Sequence, residues 1–519
     1  MIESSDAAAP KHAQSALLFG TLVIAVCGLV YELLAGTISS YLLGDSVYQF
    51  SIVIGVFMAA MGFGAYITRF IHGDLAGAFV TIQVLLGVIG GLSAPWLFFA
   101  FASQANYDVA LFSVLIGAGT LVGIEIPLIV RLLKEQATLR VNLSNVLTLD
   151  YAGALLAALA FPLVLVPQLG LVRTSLLFGL ANVLVGGLAL YTLWPWVRKK
   201  RLLGGMTGVL AVGLASGLFV AERFERFIDS KIHSGNIIYS HTSAYQRIVL
   251  TENGGIINLL LNGGLQFSSI DEHRYHEALV VPAMGLAERR SNILILGGGD
   301  GLALQRVLGY DEVKRVTLVD LDPAVTDLFT RNERLAALND RAFHDPRVTV
   351  KNEDAGKFFE TANDVFDVII IDLPDPRDIH LSRLYTKGFY TVAARHLAAG
   401  GILVTQATSP QFAREAYWSI VETLEATGSP YREGQRLYSA PYHAYVPTFG
   451  DWGFVMASPR HIDPARLVVP DGFKFLSQSM VPSLFSFAPD TARVDVDVNT
   501  SQSHVLAQYY QQGWSRWYR

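Results

Sequence analysis

Ile293-Leu-Ile-Leu-Gly-Gly-Gly-Asp-Gly301 decides the fold of the second half of the chain. Four aliphatic residues without polar alternation read as a strand covered on both faces, and the glycines turn it into a helix expected from about Leu302. Glycines at such a corner let a nucleoside approach the backbone, although a tight strand-to-helix turn alone uses the same residues. The pattern repeats downstream in Val316 to Asp320, Val348 to Lys351, Val368 to Asp372 and Gly401 to Gln406. Buried strands at helix-length intervals predict a doubly wound, Rossmann-like α/β sheet of the methyltransferase type.

The acids at the strand ends say what such a sheet would hold. Asp320 closes the second strand about 20 residues after the glycines, where a carboxylate commonly accepts ribose hydroxyls. Asp354 follows the third strand, and Asp372 and Asp375 end the fourth in Ile371-Asp-Leu-Pro-Asp-Pro376. Ligands of open α/β sheets lie beyond the carboxyl ends of the strands, so these acids and Asp300 converge on one crevice and imply a cationic substrate. A lone Asp is more often a helix cap or turn residue, and that is the reading for Asp345 and Asp364.

Upstream, residues 244 to 267 read as strands joined by Asn253-Gly-Gly255 and Gly263-Gly264, both hairpin signals. Before about residue 222 the character changes. Segments 16–42, 47–68, 76–101, 108–130, 146–167, 171–195 and 202–221 each supply the roughly 20 apolar residues that span a bilayer. The expected organisation is a transmembrane domain of about seven helices over 1–222, a linker and small β-strand domain over 223–290, and the Rossmann-like domain over 291–519. Residues 1 to 15 are polar and no small-residue cleavage site follows, so the first segment reads as a helix rather than a removed signal.

Glycines 55, 62, 64, 87, 90 and 91 suggest close helix packing. Glu32, Glu125 and Asp150 lie in or beside spans and must face protein or water, either as a polar pathway for the cationic substrate or as helix-end and interhelical hydrogen bonds. A net charge of -5 gives no basic face for nucleic acid, and the single cysteine, Cys27, excludes intramolecular disulfides and gives no basis for thiol or zinc chemistry.

From 244 to 456 the chain resembles spermidine synthase. The resemblance rests on Tyr245-Gln246, Leu261-Asn-Gly263 through Gln266, Asp271-Glu272, Tyr275-His-Glu277, Gly297 to Gly301, Asp345-Pro-Arg-Val348, Asp372 to Pro376, and Val446-Pro-Thr-Phe449 with Trp452-Gly-Phe454. Gly123-Ile-Glu-Ile-Pro127 and Asp150-Tyr-Ala-Gly-Ala154 are similar to the membrane domain fused to some bacterial members. The resemblance implies transfer of an aminopropyl group from decarboxylated S-adenosylmethionine to a polyamine such as putrescine, with release of methylthioadenosine. It implies that Gln246, Gln266, Gly297, Asp320, Asp354 and Ala355 hold the nucleoside, that His276, Asp300 and Asp375 hold amino groups, and that Asp372 is the base with Tyr275 beside it. A homo-oligomer is expected, with no metal and no cofactor beyond the co-substrate.

The chemistry agrees. An amine with a pKa near 10.4 is protonated at neutral pH, so a carboxylate must take its proton before it can attack. An S-adenosylmethionine methyltransferase would bring the donor's carboxylate to the glycine corner, where Asp300 repels it; the decarboxylated donor presents only an ammonium. Methyl transfer and a non-enzymatic polyamine sensor or transport accessory are the alternatives. Asn262 stands where the family has aspartate and Phe449 where it has a tyrosine that contacts the acceptor, so the resemblance does not carry acceptor preference over at these positions. Arg377-Asp-Ile-His380 also differs from the family's small loop, and neither Arg377 nor His380 is given a role.

For sidedness, Arg69, then Arg131, Lys134 and Arg140, then Arg198-Lys-Lys-Arg201 mark alternate connections as cytoplasmic, against Arg173 near the others. With seven spans this would place the catalytic domain outside. The donor is an intracellular metabolite, and Arg223, Arg226 and Lys231 follow the last segment, so a cytoplasmic catalytic domain is expected. That requires a re-entrant or inverted segment, with the one carrying Asp150, Pro162 and Pro167 the candidate.

Overall fold

The computed structural model describes residues 11–43, 46–103, 105–133, 139–232 and 235–517. The chain forms two compact units, Met1–Gly235 and Asn236–Arg519.

The first unit is helical: α1 (Lys11–Leu43), α2 (Ser46–Ile67), α3 (Leu75–Gly91), α4 (Ser93–Ala102), α5 (Tyr107–Leu132), α6 (Leu139–Ala160), α7 (Val166–Thr192) and α8 (Lys200–Ile232). Among the described residues six elements, not seven, are long and apolar enough to cross a bilayer. The difference lies in Arg140–Thr192, where the expected segments 146–167 and 171–195 join in one element of 53 residues. At 1.5 Å per residue this is about 80 Å, well beyond the ~30 Å hydrocarbon core. It is not straight: Phe161–Leu165 is π-helical around Pro162, and Gly170 leaves helical geometry at φ 73°, ψ 178°. α6 packs on α1, and α7 packs on α3, α8 and also α1.

A side chain at Gly64 would lie 2.0 Å from the Thr120 carbonyl oxygen on α5, and one at Gly90 would strike the Tyr31 ring on α1. Gly55 and Gly62, expected in the same role, face open space. Gln83 Nε2 donates to Glu125 Oε1 at 2.7 Å, so Glu125 makes an interhelical hydrogen bond between α3 and α5. Arg131 donates to the carbonyl oxygens of Thr68 and Ile71, and the Arg198 amide to Asp74 Oδ2, which gathers the basic connections at one end of the unit. Lys134 lies outside the described residues.

The second unit opens with an antiparallel sheet, β1 (Asn236–Thr242), β2 (Arg247–Asn253), β3 (Ile256–Leu261) and β4 (Gly264–Ser268), of which β1 was not anticipated. Gly254 and Gly255 both have positive φ, as do Asn262 and Gly263, the geometry of tight hairpin turns. Asn262 takes the left-handed conformation at φ 49° and its Oδ1 accepts the Arg247 amide at 2.9 Å, so the residue that departs from the family is suited to its turn.

Beyond α9 (Glu272–Leu286) the main sheet is built from β5 (Asn292–Gly297), β6 (Arg315–Asp320), β7 (Val348–Asn352), β8 (Phe366–Asp372), β9 (Leu397–Gln406), β10 (Tyr438–Val446) and β11 (Gly450–Ser458). The order is β10-β11-β9-β8-β5-β6-β7, parallel from β9 to β7 with an antiparallel hairpin added at β9. The helices α10 (Leu302–Leu308), α11 (Pro323–Arg331), α12 (Glu333–Ala336), α13 (Ala355–Thr361), α14 (Ile379–Ser382), α15 (Lys387–Arg395), α16 (Arg414–Glu425), α17 (Val481–Leu484) and α18 (Val505–Ser515) complete the unit. Ile293 and Ile295 enter one apolar core and Leu294 and Leu296 another, so β5 is covered on both faces, as its unbroken aliphatic run requires.

Candidate active site

The chain leaves β5 for β6 and β7 on one side and returns through β8 on the other, so the order reverses between β5 and β8. Such a switch point opens a crevice at the carboxyl ends of the strands. The register pairs Gly297 with Asp372 and Asp320 with Asn352, which sends the four acid-bearing turns off the same edge. Gly297 has φ 82°, and a Cβ there would lie 2.0 Å from the Asp372 carbonyl oxygen; only glycine lets the two turns meet.

Asp372 Oδ1 accepts the Tyr275 hydroxyl at 2.7 Å. Burial raises the Asp372 carboxyl above its ordinary range, and the hydrogen bond from Tyr275 and the charge of His276 pull against it. His276 is the next residue of α9 and is only 2% exposed. Its Nδ1 meets the Glu272 carbonyl oxygen at 2.8 Å and Glu272 Oε2 at 3.1 Å. Burial opposes the charged imidazole, but Glu272 and Asp300 outweigh it and hold the ring's pKa above its usual value. Arg306 pairs with Glu272 in turn, at 3.2 Å.

Asp300 is 8% exposed and its Oδ1 accepts the amide of Leu302, the first residue of α10, at 2.9 Å. Burial pushes its pKa up to about 6, with His276 opposing. Asp320 accepts the Gly299 amide at 3.1 Å and the Asp322 amide at 2.9 Å, and burial pushes it too up to about 6. Asp375 Oδ2 accepts the hydroxyl of Tyr510 on α18 at 3.0 Å; burial pushes this carboxyl to about 6 against that hydrogen bond.

The structure thus brings Tyr275, His276, Gly297, Asp300, Asp320, Asp372 and Asp375 to one edge of the sheet. Other expected residues have different partners. Gln246 Nε2 donates at 3.1 Å to Asp322, which also accepts the Ser243 hydroxyl at 2.6 Å, so Gln246 ties the small sheet to the start of α11. Gln266 donates at 3.1 Å to the Gly264 carbonyl, two residues back. Asp354 caps α13 through the Gly356 and Lys357 amides and pairs with Arg383 at 2.5 Å; Ala355 begins that helix. Asp345 pairs with Arg347 and Asp364 with Arg315, both away from the crevice.

Glu272, Asp322, Tyr385, Gln406 and Tyr510 were not anticipated. Glu272 stands four residues before His276 on one helix, a spacing that could have revealed it. Tyr385 and Gln406 bond one another at 2.6 Å and both donate to the Leu373 carbonyl, bracing the turn that carries Asp372 and Asp375.

At the switch point of this Rossmann-like sheet, carboxylates gather around a tyrosine and a histidine, the arrangement of a Rossmann-type enzyme with an acidic site. The comparisons name the activity. Residues 272–463 match the family model described as the spermine/spermidine synthase domain. The chain is 45% identical to polyamine aminopropyltransferase 2 of Ralstonia nicotianae over 96% of its own length and 98% of that protein, and 40% identical to the polyamine aminopropyltransferase of Leptospira interrogans over 97% and 99%. The crystal structure of spermidine synthase from Thermotoga maritima aligns with 49% of this chain and 84% of its own at 25% identity, TM-score 0.43. The chain belongs to the spermine/spermidine synthase family, and its enzymatic activity is polyamine aminopropyl transfer. Methyl transfer and a non-enzymatic role fall away with that assignment.

Proposed function

We propose that the enzyme transfers the aminopropyl group of decarboxylated S-adenosylmethionine to putrescine, giving spermidine and methylthioadenosine. Asp300 carries the donor assignment: a nearly buried carboxylate at the glycine corner accepts an ammonium and repels the carboxylate of intact S-adenosylmethionine. Gly297 and Asp320 present the nucleoside face, and Gln246, Gln266, Asp354 and Ala355 are assigned to the same ligand by the resemblance. His276 and Asp375 hold the amines. Asp372, oriented by Tyr275, takes a proton from the attacking ammonium.

The freed nitrogen lone pair attacks the aminopropyl methylene bound to sulfur. The new N–C bond forms as the C–S bond breaks, and its electron pair returns to sulfur, so the sulfonium leaves as a neutral thioether. Charge is lost at sulfur and a proton passes to Asp372. This displacement calls on positioning and one base, and on no metal or further cofactor. Protein supplied with the decarboxylated donor and putrescine, cadaverine, agmatine or spermidine separately should form methylthioadenosine fastest with putrescine, together with spermidine. Faster turnover of another amine would overturn the acceptor.

We propose further that the first unit is a multi-pass domain of the cell membrane in contact with lipid, with the catalytic unit cytoplasmic. The support for insertion is its six long apolar elements and its outward apolar side chains, among them Tyr191, Val209 and Phe219 at 81%, 72% and 87% exposure. The support for the side is the intracellular donor, with Arg223, Arg226 and Lys231 at the end of α8. Against it stand the basic residues gathered at the end where α8 begins; the π-helical passage at Phe161–Leu165 and the break at Gly170 fall in the segment expected to be irregular. A reporter active only outside the cell and fused after Arg519 should stay silent; strong signal would reverse the orientation.

A further inference from the structure

We infer that α18 completes the acceptor end of the site, with Tyr510 as a positioning residue that divides the two oxygens of Asp375 between protein and substrate. The inference rests on the reading of Asp375 as the partner of an acceptor ammonium. Tyr510 lies 135 residues from Asp375 and beyond the stretch matched by the family model, so no strand-end motif leads to it.

The helix that carries it is held at a fixed height. Leu506, Tyr510, Gly513 and Trp514 recur at helical spacing, so they share one face. Leu506 is fully buried, Trp514 packs on Phe412 with ring centroids 5.0 Å apart, and a side chain at Gly513 would meet the Ala413 Cα at 2.6 Å. The segment before α18 is tied to the turn that braces the site: Asn499 Nδ2 donates to the carbonyl oxygens of Ser382 at 3.0 Å and Tyr385 at 3.2 Å. Gln511 Nε2 then reaches the Arg377 carbonyl, two residues past Asp375, at 3.2 Å. α18 therefore clasps the acid-bearing loop through both Tyr510 and Gln511.

The consequence falls on the carboxylate. Asp375 Oδ2 is taken by the Tyr510 hydroxyl, while Oδ1 is buried and has no partner at full hydrogen-bond geometry, with the Gln406 amide and the Thr408 hydroxyl close enough to favour the ionised carboxylate. An ammonium arriving at Oδ1 meets a carboxylate whose plane and charge are already set. Arg377 on the same loop, Asp372 three residues before it, Tyr275 on α9 and Tyr385 are the other titratable or charged groups around it, and Gln406 and Thr408 flank it. Without the Tyr510 hydroxyl the carboxylate loses a donor that favours its ionised form, and the acceptor must bind a group that protonates more readily.

Tyr510→Phe keeps the ring and its packing on Trp514 and removes only the hydroxyl. In full-length protein it should raise the acceptor KM about tenfold at neutral pH, leave kcat and the donor KM within about twofold, and regain the native acceptor KM as pH is raised. Asp375→Asn, measured alongside, should raise the acceptor KM at least as much, with no recovery at high pH. If Asp375→Asn left the acceptor KM unchanged, the reading of Asp375 would fall. If Asp375→Asn acted and Tyr510→Phe did not, the role of Tyr510 would fall alone. A parallel rise in both KM values in Tyr510→Phe would also overturn it, because that pattern marks general loosening of the site.

Discussion

Asp372→Asn should lower kcat by about 10²- to 10⁴-fold, the range of a general base, with donor binding retained. Asparagine keeps the shape of the side chain, and its carbonyl oxygen can still accept the Tyr275 hydroxyl that Asp372 Oδ1 accepts at 2.7 Å. What it cannot do is take a proton. Single-turnover rates would separate this from a binding defect, because methylthioadenosine release should collapse while donor affinity by calorimetry stays near native. The native enzyme should also lose kcat on acidification, since the folded carboxyl is raised by burial and protonates before an ordinary aspartate does. The variant's residual rate should lack that limb. Near-native turnover in Asp372→Asn would remove Asp372 as the base.

Asp300→Ala should weaken donor binding about 10- to 100-fold, the span expected when a hydrogen bond to a charged group is lost. Asp300 also accepts the Leu302 amide at the start of α10, so its loss has a structural component as well. Discrimination separates the two. Removing a buried negative charge should relax rejection of intact S-adenosylmethionine, whereas a merely loosened corner would weaken both donors alike. Affinities for the two donors, measured in parallel, decide it: an unchanged ratio would mean that charge at this corner does not select the donor.

Much of the catalytic unit was legible because its chemistry is local. The aliphatic run before Gly297 and the acids at the ends of β6, β7 and β8 are properties of short segments, and the parallel order brings them together without further information. The hairpins at Gly254-Gly255 and Asn262-Gly263 were legible for the same reason, since positive φ at successive residues demands those residue types. The strand β1 was not, because its exposed, mixed residues become a strand only by pairing with β2. Asp354 shows the limit in the other direction. An acid after a strand reads alike as ligand or cap, and here the Gly356 and Lys357 amides and Arg383 engage it.

What escaped the reading arrives from far along the chain. Gln406 ends the strand beside β8, and Tyr385 follows a short helical turn, so their bond to one another exists only once the sheet has formed. In the first unit, the apolar stretches were plain, but whether 146–167 and 171–195 are one element or two turns on a π-helical passage and one glycine. Composition averaged over 20 residues does not resolve that.

The contact between Gly297 and Asp372 has a consequence for how this enzyme can change. Because the Gly297 corner and the strand end that carries Asp372 touch backbone to backbone, neither can drift without dragging the other out of line. On the proposed roles of these two turns, variation in acceptor choice is expected in walls that do not share this joint, such as the hairpin carrying Phe449 and the clasp formed by α18. New amine specificities should be reached by exchanging residues there, around a chemical centre that stays fixed.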